Sequence, residues 1–245
     1  MRVAIIADMH GNAVALQAAL SAIEDENPDQ IVCLGDVVAN GPQPSESLEI
    51  VRELDIPVVM GNTDEVLLNP EQIDNRDQNP QRIKDLLRWA AEQLSDDQIE
   101  SICSFEPTVE IQLSDERQLL CYHGTPRSHS EAIGAETPQD ELDEWFTETD
   151  AQVLVGGHTH VQLFRRHRNA IILNAGSIGL ARDLDQATNT MVDPSRTEYA
   201  LLTDENGSLD VELCQTHVDV EMVREAAGKS DMPHADWWAQ GWPAP

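Results

Sequence analysis

Residues 1–26 read MRVAIIADMHGNAVALQAALSAIEDE, and this stretch decides the fold class. Val3 to Ala7 is a short apolar run with β-branched residues. From Asn12 to Glu26 apolar residues recur at helical spacing until Asn27-Pro28 stops the pattern. The stretch therefore predicts a strand, a turn and a helix. The alternation continues downstream, with Gln30 to Leu34 as a second buried strand, Ser45 to Leu54 as a second helix and Ile56 to Met60 as a third strand, each followed by a glycine-containing turn. Such alternation predicts an α/β fold with a largely parallel sheet.

Pro80 to Ser104 reads as helix, with Arg82, Asp85, Arg88 and Glu92 on a polar side and Ile83, Leu86, Leu87 and Ala90 on another, placed as a cap over the strand edge. Strand-like segments recur at Thr108–Leu113, Gln118–Tyr122, Gln152–Val155, Gln162–Arg166, Ala170–Leu173, Tyr199–Thr203 and Asp210–Thr216. Their hairpin-like spacing predicts a second, more antiparallel sheet. At 245 residues the chain suits one core with a short appendage. The division expected is a main domain over 1–227, with the helical cap at about 80–104, and a tail over 228–245. That tail is irregular at its start and holds three of the five tryptophans, Trp237, Trp238 and Trp242. It either docks on a neighbouring subunit in a homo-oligomer, overhangs the site, or seals an apolar patch on its own domain.

The formal charge is −30, and Lys84 and Lys229 are the only lysines. This balance resembles proteins adapted to molar salt, where a Debye length of about 3 Å screens repulsion that would strain the fold in dilute buffer. It also disfavours general nucleic-acid binding, which calls for a basic face. The first residues lack a secretory signal pattern, so a cytoplasmic address is expected, and no apolar run is long enough to cross a bilayer. Cys33, Cys103, Cys121 and Cys214 form no C-x-x-C pair and read as buried free thiols.

The chemistry-bearing residues stand at the ends of apolar runs, where open α/β sheets place their ligands. Asp8 and His10 follow the first run, Asp36 the second and Asn62 the third. His123 follows Leu120-Cys121-Tyr122, and His158 with His160 follow Val153-Leu154-Val155. Two carboxylates, one amide and four imidazoles are nitrogen and oxygen donors suited to manganese, iron, zinc, cobalt or nickel. A dinuclear centre uses that many donors, and ions about 3.5–4 Å apart clamp both ends of an in-line displacement at phosphorus. Taken singly, the aspartates could be caps or turn residues and the histidines satisfied loop donors. Asn12 could reach a phosphate oxygen or cap the first helix. Asp64 could orient a metal-bound histidine or start a helix. Arg182 could clamp a phosphate or pair with Asp183 or Asp185.

The ordered motifs D-M-H at Asp8, G-D at Gly35-Asp36, G-N at Gly61-Asn62, H-G at His123-Gly124 and G-H-T-H from Gly157 resemble the calcineurin-like metallophosphoesterase family over residues 1 to about 180. The resemblance implies the metallo-dependent phosphatase fold, a four-layer αββα sandwich of two mixed sheets flanked by helices. It implies two divalent ions, manganese foremost, with Asp8, His10 and His160 on one, Asn62, His123 and His158 on the other, and Asp36 bridging. The attacking group is then a bridging hydroxide, the substrate a small phosphoester, and Asn62 also a contact for it. Stretches after Asp36 and at Asn174 resemble a small archaeal and bacterial branch of the family.

Two departures bear on mechanism. Many members read G-N-H-[DE], whose histidine helps protonate the leaving group, but this chain reads Gly61-Asn62-Thr63-Asp64. Phosphoprotein phosphatases read G-D-x-V-D-R-G, where this chain has Ala39 and Asn40 in place of the aspartate and arginine. The expectation is a phosphodiesterase. The alternatives are hydrolysis of dinucleoside polyphosphates, a protein phosphatase, or a scaffold that kept the fold without turnover.

Overall fold

A computed structural model of the chain describes residues 1–69, 80–114, 117–185, 190–192 and 194–243. The chain opens as expected with β1 (Arg2–Ile6), α1 (Ala13–Glu26), β2 (Gln30–Cys33) and α2 (Pro44–Glu53). Then follow α3 (Asn62–Leu67), α4 (Pro80–Glu92), α5 (Asp96–Cys103), β3 (Val109–Ser114), β4 (Arg117–Cys121), α6 (Gln139–Trp145), β5 (Val153–Gly156), β6 (Leu163–His167) and β7 (Ala170–Asn174). A small hairpin, β8 (Asp183–Asp185) and β9 (Thr190–Val192), precedes β10 (Arg196–Glu205), β11 (Ser208–His217), α7 (Val220–Lys229) and α8 (Ala235–Gly241).

Two mixed sheets stack face to face. The first has the order β11-β10-β1-β2, with β1 parallel to β2 and antiparallel to β10. The second has the order β3-β4-β5-β7-β6, parallel at its centre and antiparallel at both edges. The period-2 alternation of β1 shows why the layers form. Val3, Ile5 and Ala7 join Leu119, Cys121, Val153 and Val155 in an apolar layer between the sheets, while Ala4 and Ile6 face Leu16, Ala19 and Ile23 of α1. On the far side Leu120, Tyr122, Leu154 and Ile172 of the second sheet meet Leu142 and Phe146. The result is helices, sheet, sheet, helix. Each fully buried branched side chain in these layers contributes about 1.5–3 kcal/mol.

Several expectations are corrected. The third strand is reduced to isolated bridges, Cys33 with Val58 and Val59 with Glu106, since Pro57 lacks a donor for a longer ladder. The Pro80–Ser104 helix is two helices, because Ser95 and Gln98 exchange side-chain bonds to each other's backbone N–H in a capping box that starts α5 anew. The last hairpin, β10–β11, returns to the first sheet instead of extending the second. The irregular start of the tail is shorter than expected and spans residues 230–234. α7 runs on to Lys229, and α8 follows, with Trp238 and Trp242 buried in the same cluster as α1 and α4. All four cysteines are free, but only Cys33 and Cys121 are buried, and Cys103 is exposed. Among the described residues no helix is long and apolar enough to cross a membrane.

Candidate metal centre

Asp8, His123 and His158 each sit two residues beyond the carboxyl ends of β1, β4 and β5, Asp36 three beyond β2, and Asn62 opens α3. The backbone there is sharply turned. Asp8, His10, Asp36, His158 and His160 all have positive φ, between 48° and 68°, in the left-handed region that side chains other than glycine rarely enter. Five such residues where the carboxyl ends of the two sheets meet mark a place where the fold imposes conformation.

Fixed hydrogen bonds orient the imidazoles. Nδ1 of His10, His123 and His160 lies 3.1, 2.7 and 2.7 Å from the carbonyl oxygens of Ala39, Leu34 and Leu180. A carbonyl only accepts, so each Nδ1 carries a proton, and whenever the ring is neutral its Nε2 offers a lone pair. Those lone pairs converge. Nε2 of His10 and Nε2 of His160 are 3.0 Å apart, and Nε2 of His123 lies 2.9 Å from Asn62 Oδ1, which His158 Nδ1 approaches to 2.8 Å. Ring nitrogens that face one another and two carboxylates at this range make a favourable place for positive charge, met by a ring proton or by a metal ion. Asp36 Oδ2 stands 3.5 Å from Nε2 of both His10 and His123, between the two halves, and Asp8 Oδ1 lies 3.5 Å from Nε2 of His160.

The electrostatics point the same way. Burial holds the His10 ring down at about 4, against the pull of Asp36, so it is a neutral ligand near pH 7. Burial would also lower His123, yet Asp36 and Asp8 push it up to about 10. Burial alone would raise the Asp36 and Asp8 carboxyls, but the surrounding rings hold both below the usual carboxylate range. The carboxylate pair thus demands positive charge that a dication meets. Asp8, His10 and His160 offer donor atoms within 4.8 Å of one another, and so do Asp8, Asp36 and His123. The donor chemistry fits divalent metal.

A second ring of contacts holds this cluster. Ser177 Oγ donates to Asp8 O at 2.8 Å and accepts from Leu180 N at 2.9 Å, while Asn174 Nδ2 donates to the Gly157 carbonyl. The N-A-G-S-I-G stretch therefore secures the Asp8 turn and the turn that carries His158 and His160. Gly61 is required by close approach, since a Cβ there would lie 2.2 Å from Asp36 N.

Asp64 is fully buried. Its carboxylate accepts from Asp36 N at 2.6 Å, Val37 N at 2.9 Å and Gly61 N at 3.3 Å, so it orients the Asp36 turn and not a histidine. Burial and the neighbouring Asp36 push its carboxyl up to about 7, while the backbone donors favour the ionised form. Asp64→Ala would orphan three buried N–H groups. We expect a loss of about 3 kcal/mol or more, read as a drop in the denaturant midpoint, with Asp64→Asn intermediate because it keeps one acceptor oxygen. An unchanged midpoint would remove this role.

Two other candidates separate. Asn12 is buried, and its amide is used at both ends: Oδ1 accepts from Ala15 N as the cap of α1, and Nδ2 donates to Gly179 O. That corrects its reading as a phosphate contact. Arg182 is exposed at the rim of a cavity of about 400 Å³ lined by His10, Asp36, Asn62, His158 and His160. Asp183, one of its expected partners, is held bidentately by Arg196. Asn40, Thr63 and Ser130 also line the cavity, and the buried Thr63 Oγ1 has no hydrogen-bond partner among the described residues. A larger hollow of about 780 Å³ beside α1 and β2 contains none of the converging ligands. Asn40 drew notice in the sequence only as the replacement of a motif arginine, and Ser130 drew none, since a serine in a loop carries no spacing signal.

The model of the calcineurin-like phosphoesterase superfamily domain matches residues 1–197. The chain belongs to that superfamily. It is similar to an uncharacterized protein of Methanocaldococcus jannaschii, at 24% identity over 94% of this chain and 93% of the relative. It is also similar to a symmetrical bis(5'-nucleosyl)-tetraphosphatase of Erwinia tasmaniensis, at 33% identity over 49% of this chain and 42% of that enzyme. Among solved structures it resembles a metallophosphoesterase from Sphaerobacter thermophilus, with a TM-score of 0.74 and 24% identity, over 98% of this chain and 99% of the other. The Sphaerobacter structure shares the fold, and membership of the superfamily supplies the general activity class, phosphoester hydrolysis, and its dependence on metal.

Proposed function

We propose that the chain is a metal-dependent phosphodiesterase, with Asp8, His10 and His160 holding one divalent ion, Asn62, His123 and His158 the other, and Asp36 shared. The convergence of the lone-pair nitrogens of His10, His160 and His123 with two carboxylates carries this reading. When bound, such a pair of dications, manganese foremost, polarises the phosphoryl group and makes a nucleophile of water near neutral pH. The chain's own residues do the rest. Thr63, whose hydroxyl is otherwise unpartnered, donates to a phosphoryl oxygen, and Arg182 at the rim meets the remaining anionic oxygens.

The preference for diesters rests on charge and on proton supply. Apart from the ligand cluster, Arg182 is the charged side chain lining the cavity, which suits the single negative charge of a diester better than a monoester dianion. No histidine stands at Thr63 to protonate a poor leaving group, so esters with good leaving groups react best. The Erwinia relative supports keeping phosphoanhydrides in the test.

The test measures bis(p-nitrophenyl) phosphate, p-nitrophenyl phosphate and a dinucleoside tetraphosphate with manganese in molar salt. The expected result is a kcat/KM for the diester about tenfold or more above the monoester, roughly 1.4 kcal/mol of transition-state preference. A faster monoester overturns the diester reading, and a faster anhydride moves the chain to polyphosphate hydrolysis. No turnover of any of the three with two ions bound would leave a scaffold.

A further inference from the structure

The cavity over the ligand cluster does not end at Arg182. Asn40, Ile83, Leu180 and Arg182 line it and also line a second cavity of about 450 Å³, whose other side is built by Trp237 and Trp238 of α8. The two hollows form one groove that runs from the metal ligands to the tryptophans.

The tail residues differ in how they are held. Trp242 is 1% exposed, its carbonyl accepts from Arg224 of α7 at 2.6 Å, and its ring packs at 5.9 Å on that of Trp238. These contacts fix α8 on the body. Trp237 is 45% exposed, and the Arg82 guanidinium lies over its ring, 4.2 Å from the centroid. A large aromatic face left half in water contributes little to packing. Here it is set by a cation beside a groove that leads to the site.

We propose that this second cavity is a subsite for the nucleoside of the substrate, with the base stacked at Trp237 and its phosphate at the ligand cluster. The substrate class is a nucleoside phosphodiester. This rests on the reading that the ligand cluster binds the phosphoryl group. Three features select a base over an alkyl chain. Trp237 offers a π-face of the kind on which any base stacks, and Arg82 and Arg182 give this end of the groove positive charge in a chain of net charge −30. Asn40 and Gln240 place amide donors and acceptors on its walls, suited to the polar edge of a base. Hydrolysis here breaks the P–O bond to one alcohol. Water supplies both the hydroxyl kept on phosphorus and the proton taken by the departing alcohol.

The test is calorimetric binding of adenosine 5'-monophosphate, methyl phosphate and octyl phosphate to the manganese-loaded full chain in molar salt, in wild type, Trp237→Ala and Trp237→Phe. Because Trp237 is half exposed, both variants are expected to fold, and circular dichroism checks this. Wild type should bind the nucleotide about tenfold or more tighter than methyl phosphate, with quenching of tryptophan fluorescence by the nucleotide alone. Trp237→Ala should bring that ratio close to one, and Trp237→Phe should keep most of it. Equal affinity for nucleotide and methyl phosphate in wild type, or a preference untouched by Trp237→Ala, overturns the subsite. Octyl phosphate binding as tightly as the nucleotide overturns the base in favour of an apolar chain. If methyl phosphate does not bind while adenosine 5'-monophosphate still binds and quenches the fluorescence in a Trp237-dependent way, the aromatic subsite stands and the phosphoryl reading of the ligand cluster falls.

Discussion

Asp36→Ala is expected to lower kcat/KM for phosphoester hydrolysis by about 10³-fold or more, some 4 kcal/mol of transition-state stabilisation, and to leave fewer than two ions bound per chain. Asp36 Oδ2 lies 3.5 Å from the Nε2 atoms of both His10 and His123, closer to each than Asp8 Oδ1, which stands 3.9 Å from both. Its removal deletes negative charge where two dications would otherwise repel each other. Alanine also loses the acceptor for Thr63 N, at 2.8 Å, and must adopt φ near 55° without a side chain that favours it. Asp36→Asn separates these effects, since it keeps an acceptor oxygen and tolerates the turn but lacks the charge. Activity and metal content should fall in both variants, while the thermal midpoint should fall mainly in Asp36→Ala. Two bound ions with near wild-type turnover in Asp36→Asn would end the case for a shared carboxylate.

Withdrawing salt is expected to produce the second large effect, a fall in the thermal midpoint of about 10 °C or more between molar and 50 mM salt. The chain carries 45 acidic and 15 basic side chains, so at most one carboxylate in three can have a lysine or arginine to itself. Several bases are already shared between acids. Arg127 bonds both Glu131 and Glu144, and Arg196 bonds both Asp183 and Glu198. The remaining carboxylates repel one another across the surface, a penalty that salt screens and dilute buffer restores. Melts in sodium chloride and in matched sucrose, both with manganese present, distinguish screening from general solute exclusion. A midpoint that follows sucrose as closely as salt would refute the electrostatic account.

Much of this molecule was legible in its sequence, for identifiable reasons. β1 and α1 were readable because Val3 to Ala7 and Asn12 to Glu26 carry different hydrophobic periods with Asn27-Pro28 as a stop. The seven residues proposed as ligands were findable because each follows an apolar run beside a glycine, and the structure brings all seven together where the carboxyl ends of the two sheets meet. What was not legible depended on partners distant in sequence. The role of Asp64 lies in N–H groups 27 and 28 residues away, and the choice for Asn12 between helix cap and phosphate contact needed Gly179 on its amide. The short α3 and α6 escaped because six or seven residues hold too few turns to show a period. For the tail the sequence left alternatives open, and the choice needed the fold: Trp238 and Trp242 complete the core of their own chain, while Trp237 stays exposed.

The left-handed turns under Asp8, His10, Asp36, His158 and His160 also govern which replacements the centre can accept. Charge conservation would nominate glutamate for aspartate, yet a longer side chain gains nothing in this backbone region and moves the donor oxygen. Asparagine keeps the turn and gives up the charge. Drift among relatives at these positions should therefore favour Asp, Asn and His over Glu and Gln. A saturation library at the five sites should return survivors sorted by backbone handedness first and by coordination strength second.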